Sequence, residues 1–443
     1  MEAGVRLLVL LLAWTTFAFA GVYLSSLIGS ALLLAILAVA CRPFGVSRIS
    51  ILDASLMAVV AAMAVQLVPL PTSIIVHLSP VALRISERLR LVALPPVMPL
   101  SIDPVAGVWA LAVMVGVVLT FLVSRRILDT RGVRILVRGI SGIGLTLSAI
   151  ALAQDATAHG LIYWRWKPIE EGAPPVGPFV DRNHFATWVI LALPMCLGYL
   201  VAHVAAHNRH GVPGTTWRHS LRHALDARAI WLAASVCLML VALAASLSRS
   251  GLVGMAAALI AFSASRASRP DTSAGGRWIT VALGAALVVA SIRINPATMM
   301  QRFGAAGAAA QDRVAIWRET LPVVKDFWVT GIGAGTFETV MLAYQRGPSP
   351  FRINAAHNHY LQLAAEGGLL LGIPVLAAIV LFVRAAMERL AHDDTGMYWV
   401  KAGAVSGLAG VAVQSVWETG LTTPANGLLA AIAAAIALHR TGR

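Results

Sequence analysis

The side chains best suited to chemistry stand in three short polar breaks: Asp181-Arg182-Asn183-His184, Ser248-Arg249-Ser250-Gly251 and His357-Asn358-His359-Tyr360. Arginine offers a planar, permanent cation that matches phosphate oxygens. An imidazole titrates near neutrality and can take a proton from a hydroxyl. Arg182 begins an apolar run after the Pro- and Gly-rich stretch 172–178. A cation at a helix N-terminus opposes the dipole unless an anion binds there. Arg249 sits between two apolar runs with almost no loop, where a charge near hydrocarbon is costly and functional by default. Together these groups point to an anionic, phosphate-bearing lipid substrate. Each has a structural alternative. Arg182 can snorkel to headgroups, Asn183 and His184 can cap a helix, Arg249 can pair with a carboxylate, and the two histidines can be caps.

Several other groups are ambiguous in the same way. His357 and His359 form half of a metal pattern, but no carboxylate cluster accompanies them, so no metal site is expected. Glu366 either orients a histidine or pairs with an arginine. Asp312, Arg313 and Arg318 read as a surface network, with Arg313 also a candidate for substrate contact. Tyr163-Trp164-Arg165-Trp166 reads as an interfacial aromatic belt, with stacking on sugar rings as the alternative. The sequence has no Walker loop, no GxGxxG after a strand, no HExxH and no GxSxG. Asp393-Asp394 is an adjacent pair and falls on the opposite side, so a metal-dependent nucleotide-sugar site is not expected.

The elements that must position these groups follow from composition. Hydrophobic residues make up 58% of the 443 residues, charged residues 12%, and the mean hydropathy is +0.78. Apolar runs long enough to cross a bilayer recur along the chain, which indicates an all-α, polytopic membrane protein. About twelve spans are expected, at 6–20, 22–41, 51–70, 104–124, 135–154, 184–206, 229–248, 251–265, 278–292, 367–386, 397–417 and 425–440. The first two read as a retained hairpin rather than a cleaved signal. The net charge of +14 would suggest nucleic acid in a soluble protein, but arginines in alternate loops account for it. They cluster at 42–48, 125–134, 209–228, 266–277 and 384–389, and again at Arg440 and Arg443. This pattern places both termini in the cytoplasm and all three polar breaks on the opposite face. There, 293–366 forms a large outer loop with short helices, including one whose apolar stripe is Val314, Trp317, Leu321 and Val324, followed by a turn at Gly331, Gly333 and Gly335. A second interfacial helix is expected within 71–103, around Arg84, Arg88 and Arg90. Cys41, Cys196 and Cys237 read as small buried hydrophobes.

The motifs, in order, resemble the O-antigen ligase and polymerase superfamily, polytopic glycosyltransferases of the bacterial envelope. The resemblance rests on Phe179 to Ala186, Ser246 to Gly251, Asp312-Arg313 with Trp317, Gly331 to Phe337, and His357 to Leu361 with Glu366-Gly367-Gly368. It covers about 179–375. It implies a GT-C-like membrane fold with N-terminal helices over 1–154, a catalytic core over 155–386 and C-terminal helices over 387–443. It further implies an inner-membrane enzyme whose site faces the periplasm. The donor would be a glycan on undecaprenyl pyrophosphate, and the acceptor a lipid A-core sugar or a second lipid-linked glycan. The resemblance implies no metal and no cofactor. By position, Arg182 and Arg249 match the pyrophosphate-binding arginines and His357 the base. Asn183, His184, Ser248, Arg313, Asn358, His359, Tyr360 and Glu366 are the candidate substrate contacts. Ligation to lipid A-core is the first expectation, polymerisation the second, and a lipid-linked glycan transporter the alternative of another class.

Overall fold

In a computed structural model, residues 2–41, 50–89, 94–168, 174–209, 226–267, 306–346 and 352–441 are described. They are almost wholly helical. In chain order the helices are α1 (Glu2–Phe17), α2 (Leu24–Cys41), α3 (Ile51–Gln66), α4 (Thr72–Leu78), α5 (Pro80–Leu89), α6 (Pro104–Ile127), α7 (Thr130–Thr157), α8 (Arg182–Arg209), α9 (Ala227–Ala245), α10 (Arg249–Ala267), α11 (Ala306–Asp326), α12 (Phe337–Tyr344), α13 (His359–Ala391), α14 (Met397–Gln414) and α15 (Pro424–Ala437). Two two-residue strands, β1 (Leu70–Pro71) and β2 (Val97–Met98), pair antiparallel with Leu70 opposite Met98. Every expected span falls on a helix except 278–292, which lies outside the described residues. Among the described residues, six helices, α2, α6, α7, α8, α9 and α13, are long and apolar enough to cross a membrane, and α3, α10 and α15 are shorter apolar helices.

The helices start where a polar side chain can satisfy the free N–H groups of the first turn. Ser50 and Asp53 form a capping box at α3. Asp103, Asp129, Asp226 and Asn358 cap α6, α7, α9 and α13. Between these starts the sequence is apolar on every face, as both lipid and core demand. On α2, Leu24, Ile28, Leu32, Ile36 and Val39 form an exposed stripe, a surface that suits hydrocarbon and not water.

Helices α8 and α14 meet most closely. A Cβ on Gly403 would lie 2.1 Å from the Pro194 carbonyl, and one on Gly198 2.1 Å from the Trp399 carbonyl. Only hydrogen fits there, the small-residue packing by which membrane helices approach. The main core gathers α1, α2, α3, α6, α7, α8, α9, α10, α13, α14 and α15.

The bundle has two ends. At one, Asp53 pairs with Arg125 at 2.5 Å and Glu2 with Arg131 at 2.9 Å, while Lys401 and Asp393 form a buried pair at 2.6 Å. At the other, Tyr163 donates to the Phe17 carbonyl and Trp166 to the Tyr23 hydroxyl. Rings of Phe19, Tyr23, Tyr163 and Trp166 pack there edge to face. All three polar breaks lie at this second end, joined by the contacts given below.

A small second core sits over that end. Ile75, Ala82, Ile85, Met98 and Leu100 pack with Val323, Phe327, Ile332, Phe337, Val340 and Met341. The described parts of 71–103 and 306–365 therefore form one cap. The stretch 71–103 is two short helices and a strand pair, because Ser79-Pro80 interrupts it; Arg90 lies outside the described residues. On α11 the expected stripe is rotated. Thr320, Val323 and Phe327 are buried, whereas Val314 and Leu321 are exposed. Of the cysteines, Cys196 is buried, Cys41 half-buried and Cys237 exposed. Burial of Cys237 was expected, but an apolar lipid-facing position has the same sequence signature as a core one.

Candidate functional site

Two helix starts are locked side by side. Asp181 begins α8: its Oδ1 accepts the Asn183 N–H at 2.6 Å, and its carbonyl accepts from Phe185. Ser248 begins α10, its hydroxyl accepting the Gly251 N–H at 3.1 Å. The same hydroxyl donates to Asn183 Oδ1 at 2.6 Å. This one bond joins the starts that carry Arg182 and Arg249, both half-buried. Leu247, just before Ser248, is left-handed at φ 53°, an uncommon conformation for a branched side chain. The tight turn between α9 and α10 imposes it, with the Leu247 N–H bonded to the Ala244 carbonyl.

The end of α14 ties this pair to the histidine motif. Gln414 donates to the Asn183 carbonyl at 3.2 Å and accepts from Thr187 at 2.9 Å. One residue on, the Ser415 carbonyl accepts the His359 N–H at 2.8 Å. Three further on, the buried Glu418 carboxylate lies 3.7 Å from His357 Nδ1 and 2.5 Å from Arg313. The first of those distances is a charge contact, longer than a hydrogen bond. His357 itself is left-handed at φ 46°. Its position is set from both sides: Asn358 caps α13 through the Leu361 N–H, and the Ala356 carbonyl accepts the Trp317 indole N–H at 3.0 Å. The structure thus brings Arg182, Asn183, Ser248, Arg249, Arg313 and His357 to one end of the bundle, around the end of α14.

The remaining candidates have mostly structural partners. His184 Nδ1 meets the Thr423 hydroxyl at 2.8 Å, and its carbonyl accepts from Asn426. Tyr360 is exposed and donates to the Ala412 carbonyl at 2.6 Å. The His359 ring nitrogen Nδ1 is buried with no hydrogen-bond partner. Among the described residues, Glu366 neither orients a histidine nor pairs with an arginine. Its carboxylate accepts from the Gly335 N–H at 2.8 Å and from Gln362 at 3.0 Å. It holds the glycine turn, where Gly331, Gly333 and Gly335 all have positive φ. Gln66 completes this junction, donating to the Thr330 and Glu366 carbonyls. Arg313, expected in a surface network, instead reaches a buried carboxylate.

Glu418 was not singled out by sequence reasoning. Its signal was available: Glu418 and Lys401 are the charged residues of the apolar stretch 396–438, and a lone acid in such a run is a functional candidate.

Residues 234–376 match the family described as O-antigen ligase. The match runs from α9 to the first turns of α13, so it includes Arg249, Arg313, His357 and Glu366 but neither Arg182 nor Glu418. No curated protein matches the chain. The stretch 234–376, set in the apolar helical frame described above, is therefore similar to the O-antigen ligase family.

Proposed function

We propose that the protein transfers a glycan from undecaprenyl pyrophosphate to a lipid A-core hydroxyl at the periplasmic face of the inner membrane, without a metal or cofactor. The single observation that carries this reading is the Ser248–Asn183 bond at 2.6 Å, which sets two arginine-bearing helix starts together. Paired guanidinium groups at two positive helix ends suit a diphosphate. His357 accepts the acceptor hydroxyl proton as the new C–O bond forms on the anomeric carbon with inversion. The bond from that carbon to the phosphate oxygen breaks, and its electron pair leaves with undecaprenyl pyrophosphate. Arg182 and Arg249 stabilise the charge growing on that oxygen, an effect whose loss typically costs about 3–4 kcal/mol, or roughly 100- to 1000-fold in rate. Arginines at helix starts, rather than within broken helices at mid-depth, favour transfer over transport.

The test uses purified protein and a synthetic undecaprenyl-pyrophosphate glycan, with EDTA present and lipid A-core and free lipid-linked repeat as competing acceptors. The expected product is glycosylated lipid A-core, formed roughly 100- to 1000-fold more slowly by Arg249→Ala and His357→Ala. A product on the lipid-linked repeat instead identifies a polymerase. Wild-type rates in either variant remove that residue from the mechanism.

A further inference from the structure

We infer that Glu418 is the positioning residue for His357, holding its ring so that Nδ1 carries the proton and Nε2 is free to act as base. The inference rests on the proposed transfer reaction and adds to it a residue outside the matched domain. Glu418 is 1% exposed and follows the last turn of α14. Its two oxygens are divided: Oε1 meets Arg313 at 2.5 Å, and Oε2 faces His357 Nδ1 at 3.7 Å. That ring nitrogen is buried and has no hydrogen-bond partner, so the carboxylate is the group placed to receive its N–H. A carboxylate behind an imidazole selects the tautomer and stabilises the imidazolium that forms on proton transfer. The remaining gap is of the kind that closes when substrate is bound. Arg313 has a definite part in this arrangement: it occupies the other oxygen and fixes the carboxylate from behind. The left-handed backbone of His357, φ 46°, is the local strain expected where a side chain is held for chemistry. In the step itself the acceptor proton moves to Nε2. The Nδ1 proton stays on the ring, facing Glu418.

The experiment is a double-mutant cycle on the full-length protein, with kcat and KM measured for transfer to lipid A-core. Glu418→Gln is expected to lower kcat about 100-fold with little change in KM. In the His357→Ala background the same change is expected to cost nothing further, because its effect passes through the ring. Equal losses in both backgrounds, or a wild-type kcat, overturn the inference. Glu418→Gln leaves Arg313 without its charge partner, so Arg313→Gln/Glu418→Gln is measured as well. Recovery of kcat in that pair assigns Glu418 a purely structural role and also overturns the inference. A second readout needs no turnover. The ¹⁵N NMR spectrum of histidine-labelled protein, with His357→Asn used for assignment, is expected to show an Nδ1–H tautomer that Glu418→Gln shifts toward Nε2–H. An unchanged tautomer refutes the inference even if transfer proceeds. A shifted tautomer in a protein that transfers no glycan supports the Glu418–His357 link and refutes the transfer reading instead.

Discussion

Replacing Ser248 by alanine removes two bonds at once. Its hydroxyl accepts the Gly251 N–H at 3.1 Å and donates to Asn183 Oδ1 at 2.6 Å, at a position 1% exposed. Loss of the cap costs about 1 kcal/mol. Leaving the Asn183 oxygen without its donor costs about 1–3 kcal/mol more, for a total of roughly 2–4 kcal/mol. Asn183→Ala removes the bond but leaves the Ser248 cap intact, so it costs about 1 kcal/mol. The double variant loses the bond only once and strands no acceptor. Its destabilisation therefore falls below the sum of the singles by about 1–3 kcal/mol. Thermal unfolding of the four proteins in detergent, followed by tryptophan fluorescence, measures that difference. Ser248→Ala also lets the Arg249 start move relative to Arg182, and a displacement near 1 Å costs about 100-fold in rate. Additive destabilisation within about 0.5 kcal/mol, or an unchanged transfer rate in Ser248→Ala, refutes the claim that this bond holds the two arginines together.

Three further outcomes follow from the same geometry. Gly331→Ala puts a Cβ 2.1 Å from the Glu366 carbonyl at φ 66°, so the melting temperature drops sharply, with about 1–2 kcal/mol from the left-handed backbone alone. Gly372→Ala, whose Cβ meets nothing within 4 Å, is the control and leaves the melting temperature unchanged or raised. Trp317→Phe removes the N–H that holds the Ala356 carbonyl; it costs about 1 kcal/mol and lowers kcat more than it changes KM. Lys401→Met strands the buried Asp393 carboxylate and costs about 3–5 kcal/mol, most of which Lys401→Met/Asp393→Asn recovers in thermal unfolding. Burial alone would push the Asp393 carboxyl up, but the Lys401 ammonium and the Thr395 groups hold it below its ordinary value. Its stabilising contribution is therefore full above the unfolded carboxylate pKa of about 3.9 and is lost as pH falls through the lower folded value. An acid titration of melting temperature is expected to show this loss in the wild type and not in the paired variant.

Helix positions were legible because apolar runs mark them, although the caps Asp129 and Asn358 start α7 and α13 before the runs expected at 135 and 367. The gathering of the three polar breaks at one end was legible too, because arginines alternate strictly between loops. What escaped is long-range. Glu418 reaches His357 across two helices, and nothing next to it in sequence marks that reach. Glu366 read as the partner of a histidine or an arginine, yet one of its oxygens accepts from Gly335 in the glycine turn and the other from Gln362. The stripe on α11 was misplaced because its burial is decided by α13 and α12, against which it packs, and not by its own periodicity. Cys237 shows the same limit from the other side: lipid and core both accept an apolar residue, so sequence does not separate them.

The most direct measurement is a cryo-EM structure of the protein with undecaprenyl pyrophosphate bound. The account predicts the diphosphate at the paired starts of α8 and α10, contacted by Arg182 and Arg249, with the His357 ring facing the leaving oxygen. A diphosphate seated elsewhere on the protein, or contacting neither arginine, contradicts it.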